Sequence, residues 1–300
     1  IPWNYFCHYG DTTLLREHYQ GMKHWVEYLQ TRTDDKGIVV REEPNGWCLG
    51  EWSTPHNRIE IPASLVNTAY FYHVTCIMAD VAGILDKKDD EHYLRTLAET
   101  IRKNFNTAFY NEVTCHYWEG KQGADVFALA FGLVPEGKQG KVFSALLEHL
   151  KKVNDHFDTG ILATPLLLKV LTENGRADIA YKLMNQRDFP SYGYLADEKN
   201  NTLWETWNGD GNDEGCGHCH PMFGSVVAWF YNSLAGIKPD LSNPGMKHFY
   251  VEPIVVPDLK YCRAIYDSLY GQIRSDWKID GSGNLNFQIE VPANTSATVT

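Results

Sequence analysis

Between Asp11 and Leu29 the apolar positions Leu15, Tyr19, Met22, Val26 and Leu29 fall four and three residues apart, which predicts one apolar face of a helix. Asp11 or Thr12 supplies its N-cap. The same spacing runs through Leu65, Ala69, Tyr72, Cys76 and Ala79 within 62–85, and through Leu94, Leu97, Ala98, Ile101 and Phe105 within 89–105. Further helices are predicted at 123–131, 140–153, 162–173, 176–186 and 224–234, with Asn174-Gly175 as a stop between two of them. Long loops are expected at 31–59 and 187–222. After Lys238-Pro239 the period changes to two. Ile273, Ser275, Trp277 and Ile279 alternate with polar neighbours, as do Leu285, Phe287, Ile289 and Val291, and 280–284 between them is turn chemistry. With strands also expected near 247–256 and 260–267, residues 239–300 read as a small antiparallel sheet, ending on a strand cut off midway at Ala297–Thr300. The pattern therefore predicts a helical domain over 1–238 followed by a partial β-sandwich.

Composition narrows the partners. The chain has 300 residues, enough for one large domain with a smaller companion, and 43% hydrophobic content gives it a sizeable core. Its net charge of −11, with no run of bases interleaved with aromatics, argues against nucleic acid. Nothing in it is long and apolar enough to span a membrane. The start on Ile1-Pro2-Trp3, without initiator Met or a signal-peptide pattern, reads as trimmed or processed. Seven scattered cysteines, an odd number, point to buried reduced thiols rather than a disulfide framework. A periplasmic or a cytoplasmic location fits.

The most informative stretch for chemistry is Thr202-Leu203-Trp204-Glu205-Thr206-Trp207, one carboxylate between two indoles. Indole faces stack on the C–H surfaces of sugar rings, and apolar walls raise the pKa of a carboxyl held among them. Such a glutamate suits a glycosidase acid or base; the plainer alternative is a helix-end glutamate beside two core tryptophans. Further on, Cys216-Gly217-His218-Cys219-His220 has ligand types that zinc favours. Five residues in one turn rarely spread four ligands, and no second Cys/His pair follows, so the stretch reads as a glycine-rich loop and no metal is expected. The acidic run at 210–214 lacks the twelve-position calcium loop.

The order of several short pieces resembles the C-terminal half of a bacterial α-L-rhamnosidase. The pieces are Pro2-Trp3 before Tyr9-Gly10-Asp11, Gly50-Glu51-Trp52, Phe131-Gly132-Leu133-Val134-Pro135 and Thr159-Gly160-Ile161-Leu162-Ala163-Thr164-Pro165. Glu173-Asn174-Gly175-Arg176-Ala177, Pro190-Ser191-Tyr192-Gly193-Tyr194, Trp204-Glu205, Phe223-Gly224-Ser225-Val226 and Ile289-Glu290-Val291-Pro292-Ala293-Asn294-Thr295 complete them. The resemblance implies an (α/α)6 toroid over 1–238, N-terminally incomplete, with a truncated β-sandwich over 239–300. It implies removal of terminal α-L-rhamnose with inversion, without metal or cofactor, from a rhamnose-containing oligosaccharide or glycoside. Inverting carboxyls stand roughly 6.5–9.5 Å apart to admit a water between them. By resemblance Glu205 is the water-activating base, Trp3 and Trp52 face the sugar, Trp204 and Trp207 flank the same pocket, and His220 hydrogen-bonds the sugar near the base.

Glu51 stands where the family usually has Asp, so its carboxylate is expected deeper in the pocket, with a remote role as stand-in acid. The family's general acid lies in a loop ahead of the segment that here begins with Pro2-Trp3, and no counterpart is found in this sequence. The expected partner is therefore the remaining N-terminal part of the enzyme. The rivals are another six-hairpin glycosidase with a different sugar, a carbohydrate-binding remnant without catalysis, and a zinc-stabilised module.

Overall fold

A computed structural model describes residues 1–40, 50–55, 61–196, 202–208 and 217–300. Cys48, Cys216, the acidic run at 210–214 and much of the 31–59 loop lie outside the described residues. The chain forms two compact units, one of residues 22–225 and one of residues 1–21 with 226–300.

In the larger unit, α3 (Ala63–Ile84), α4 (Lys88–Phe109), α5 (Gln122–Phe131), α6 (Gln139–Lys152), α7 (Ala163–Glu173) and α8 (Ala177–Asn185) form three successive hairpins. Helix α3 is buried on nearly every side, through Leu65, Thr68, Phe71, Thr75, Met78 and Ala82 among others. Helix α4 buries one stripe, Leu94, Ala98, Ile101, Phe105 and Phe109, and turns its charges outward. A helix that is apolar all round sits inside, and an amphipathic one backs it. Accordingly α3, α5 and α7 pack side by side, while α4, α6 and α8 each cover the helix before.

Because each hairpin returns the chain, α3, α5 and α7 begin at one end. Hydrogen bonds join the start of α5 to the lead into α7 there. Asp158 N donates to Gln122 Oε1 at 3.0 Å, and Gln122 Nε2 to His156 O at 3.3 Å. The connection after α4 carries a two-residue ribbon, β1 (Tyr110–Asn111) with β2 (His116–Tyr117). Within the expected loop at 187–222 the chain makes a short helix, α9 (Tyr192–Ala196).

In the smaller unit, α1 (Pro2–Tyr9) escapes the periodicity, because eight residues are too few for an apolar spacing to repeat. Helix α2 (Thr13–Thr31) carries the chain from this unit into the larger one, and Asp11 Oδ1 accepts Thr13 N at 2.8 Å at its start. The helical run expected at 224–234 is mixed: 3-10 over Pro221–Val226, α over Val227–Trp229, π over Phe230–Leu234.

Two three-stranded sheets follow. One orders β3 (Ile237–Pro239), β4 (His248–Val251) and β8 (Ser296–Val299); the other orders β5 (Tyr261–Ser268), β6 (Gly271–Ile279) and β7 (Leu285–Glu290). The second sheet is antiparallel throughout. In the first, β8 runs parallel to β4, pairing Ser296 with His248 through Val299 with Val251, so the expected final strand joins a mixed sheet. Ile237, Phe249 and Val251 meet Ala264 and Ile273 in one core. The buried Trp277 indole donates to Leu234 O at 2.8 Å, and Ser275 Oγ to Ala235 O at 2.6 Å. Every buried polar group of these two side chains is thereby satisfied.

Candidate active site

Glu205 lies on a segment that pairs with the stretch just before Pro221. Glu205 N donates to Gly217 O at 2.9 Å, His220 N to Leu203 O at 2.8 Å, and Thr202 Oγ1 to His218 O. This pairing turns the Glu205 side chain back over Gly217, whose N–H donates to Glu205 Oε2 at 2.8 Å. Gly217 leaves room for that: a Cβ there would stand 3.3 Å from Glu205 Oε2 and 3.7 Å from His220 Cδ2. The carboxylate and the imidazole therefore border the same point in space. His220 Nδ1 is buried and has no hydrogen-bond partner among the described residues. A buried ring nitrogen left unpaired is costly and marks a place where a ligand's polar group can be received.

The two indoles beside Glu205 differ in kind. Trp204 is half-buried and stacks on His218, centroids 4.0 Å apart at 13°, so one of its faces is already covered. Trp207 is 0% exposed and donates its indole N–H to Thr159 O at 2.9 Å. It stacks on Phe157 at 5.2 Å and meets Phe223 at 4.5 Å and the edge of Tyr192 at 5.4 Å. Trp207 thus turns its faces to other aromatic rings of the protein. It is the buried anchor that fixes the backbone next to Glu205.

Glu51 is buried as well. It is 1% exposed and points into the protein, where Oε1 accepts Ala163 N at the start of α7 at 3.1 Å. Burial pushes its carboxyl up to about 8, against the backbone N–H groups of Ala163, Gly160 and Leu162, which favour the charged form. Its carboxyl is turned toward the start of α7 and away from solvent. Trp52 is half-buried, with its carbonyl accepting Ile161 N at 3.2 Å. Trp3 belongs to the smaller unit, half-buried on α1 with its ring 5.9 Å from Phe6.

The residues that sequence reasoning did not single out as site residues are Thr159 and Gly160. Their segment bonds both to Trp52 and to Trp207, and a Cβ on Gly160 would fall 2.0 Å from Trp52 O. The signal was the glycine within Thr159-Gly160-Ile161 just before a helix. A hollow of about 370 Å³ opens nearby, walled by Tyr70, Leu162, Leu166 and Met222, and none of the expected site residues lines it.

Among the described residues, no group of three or more His, Cys, Asp or Glu could hold a metal ion. Cys7, Cys76, Cys115, Cys219 and Cys262 are free thiols. Cys219 is exposed, unlike the buried thiols expected.

Successive helical hairpins followed by two small sheets are the arrangement of a six-hairpin glycosidase domain with its C-terminal domain. The bacterial alpha-L-rhamnosidase 6 hairpin glycosidase domain matches residues 1–234, and the bacterial alpha-L-rhamnosidase C-terminal domain matches residues 236–300. The chain belongs to the bacterial alpha-L-rhamnosidase family. It is 30% identical over 305 residues to an alpha-L-rhamnosidase of Formosa agariphila, covering 100% of this chain and 32% of that one. Its fold is similar to the alpha-L-rhamnosidase of Dictyoglumus thermophilum, with TM-score 0.91, 35% identity, and 100% of this chain on 33% of that one. It is also similar to the Streptomyces avermitilis alpha-L-rhamnosidase complexed with L-rhamnose, with TM-score 0.89, 32% identity, and 99% of this chain on 28% of that one. The chain therefore spans about a third of the length of these relatives or less.

Proposed function

We propose that this chain carries the water-activating part of an inverting glycoside hydrolase that removes terminal α-L-rhamnose, with Glu205 as general base. The observation that carries the assignment is the Glu205 carboxylate, pinned by Gly217 N beside the unpaired His220 Nδ1. Family membership and the likeness to a relative solved with L-rhamnose support the sugar. In the reaction, Glu205 takes a proton from water as the water oxygen attacks the anomeric carbon on the face opposite the aglycone. A second carboxyl protonates the leaving oxygen as the glycosidic bond breaks. A base held within about 2.6–3.2 Å of its water meets the geometric requirement for this role.

His220 Nδ1 is assigned to a sugar hydroxyl, and Trp52 and Trp204 to the ring's apolar faces. The general acid is assigned to the rest of the enzyme, which is the partner this stretch needs. The division into a toroid over 1–238 and a sandwich over 239–300 is part of the same proposal, supported by the change from helix to strand at Ile237.

Two measurements on the full-length protein test it. Proton NMR of the first-formed product from nitrophenyl α-L-rhamnoside should show the β-anomer; an α-anomer overturns inversion. Nitrophenyl glucoside and glucuronide should be poor substrates beside the rhamnoside, and equal rates would favour a different hairpin glycosidase. For this chain alone, nitrophenyl rhamnoside should be cleaved slowly and natural disaccharides not at all, because nitrophenolate leaves with little help from an acid.

A further inference from the structure

The lead into α7 touches both parts of the candidate site. Thr159 O holds the Trp207 indole, and Trp207 is two residues from Glu205. On its other side Ile161 N bonds to Trp52 O and Ala163 N to Glu51 Oε1. Gly160 sits between, so close to Trp52 O and Glu51 Oε1 that a Cβ would lie 2.0 and 2.9 Å from them. Glu51 Oε2 is buried and has no partner among the described residues.

We propose that Glu51 is a positioning residue: its buried carboxyl clamps the Trp52 segment to the lead into α7, and through that lead fixes the Trp207–Glu205 segment, in a clamp that loosens as the solution becomes alkaline. The proposal rests on the rhamnosidase assignment only for what is positioned. A protonated carboxyl can leave one oxygen without a cationic partner in a dry place, whereas a carboxylate there calls for water or a cation. Among the described residues, the titratable side chain facing Glu51 is Tyr70 of α3, itself pushed up to about 12 by burial first and by Glu51 second. The lead into α7 and its first turn, residues 159–166, contribute amides and no titratable side chain, and neither do Gly50 and residues 52–55. The N–H groups of Ala163, Gly160 and Leu162 favour the charged form, but burial outweighs them, and among the described residues no cationic side chain faces the carboxyl.

The sign follows from linkage. The closed clamp keeps its proton until about pH 8, while an opened one releases it near the ordinary 4.5. The opening constant therefore rises about tenfold per pH unit between those values and levels off above them.

Hydrogen exchange of the Ile161 and Ala163 amides, corrected for intrinsic rate, reads this directly from pH 5 to 9. The wild-type chain should lose protection about tenfold per unit and flatten near 8. Glu51→Gln keeps an acceptor oxygen and cannot ionise, so its protection should stay flat. In the full-length enzyme the same variant should keep kcat/KM further into the alkaline range. A flat wild-type profile overturns the clamp even if the variant fails to fold, and so does the same slope in Glu51→Gln. Exchange needs no sugar, so failure of rhamnoside hydrolysis counts against the function and not against the clamp.

Discussion

Gly160→Ala should be among the most damaging small changes in the larger unit, although it adds one methyl group. The added Cβ would lie 2.0 Å from Trp52 O, where carbon and oxygen ordinarily stay about 3.3 Å apart. The Trp52 segment must then retreat by roughly 1.3 Å from the lead into α7. That breaks the 3.2 Å bond from Ile161 N to Trp52 O and strains the 3.1 Å bond from Ala163 N to Glu51. Two buried bonds disrupted, each leaving a polar group unpaired, cost about 2–5 kcal/mol together. The loss of chain freedom from Gly to Ala returns only about 0.4–1 kcal/mol. Gly140 is the control. It is exposed on α6, with nothing within 4 Å of the place its methyl group would take, and should gain about 0.5–1 kcal/mol on the same substitution. Urea denaturation of the two variants beside the wild type decides the matter, since opposite signs are required. Equal or raised stability in Gly160→Ala would refute the close approach on which the site's architecture depends.

Other substitutions separate anchor from site. Trp207→Phe should lower stability by about 2–4 kcal/mol through lost volume and the lost bond to Thr159 O, while Trp204→Phe should change it by less than about 1 kcal/mol, both read by urea denaturation. Gly217→Ala should leave the melting temperature nearly unchanged. It should lower turnover of aryl rhamnoside by the full-length protein roughly 10–100-fold, because its Cβ would press on Glu205 Oε2 from 3.3 Å. Unaltered kinetics there would mean that the Gly217–Glu205 contact has no bearing on the reaction.

The hairpins were legible because their apolar positions repeat with the helical period. The spacing through Leu94, Ala98, Ile101 and Phe105 predicts a helix over 89–105, and α4 extends it to Phe109. For α3 the spacing finds the helix but not its depth, since burial on nearly every side depends on the neighbouring hairpins. Helix α1 is only eight residues long, too short for its apolar spacing to repeat. The parallel pairing of β8 with β4 joins residues 48 apart in sequence, which no local pattern encodes. At the site, Trp204-Glu205-Trp207 stands out by composition, yet composition cannot distinguish a half-buried indole from a buried one. The place of Glu51 beside Trp52 suggests a pocket-facing carboxylate. Its inward turn follows instead from the closeness of α7's first amides, a tertiary fact.

The central claim is that Glu205 activates the attacking water. Turnover of nitrophenyl α-L-rhamnoside by full-length Glu205→Gln, with folding checked by circular dichroism, tests it most directly. General-base catalysis contributes roughly 10²–10⁴-fold, so the variant should lose that much in kcat while unfolding at the wild-type temperature. Wild-type turnover in the variant would remove Glu205 from the mechanism.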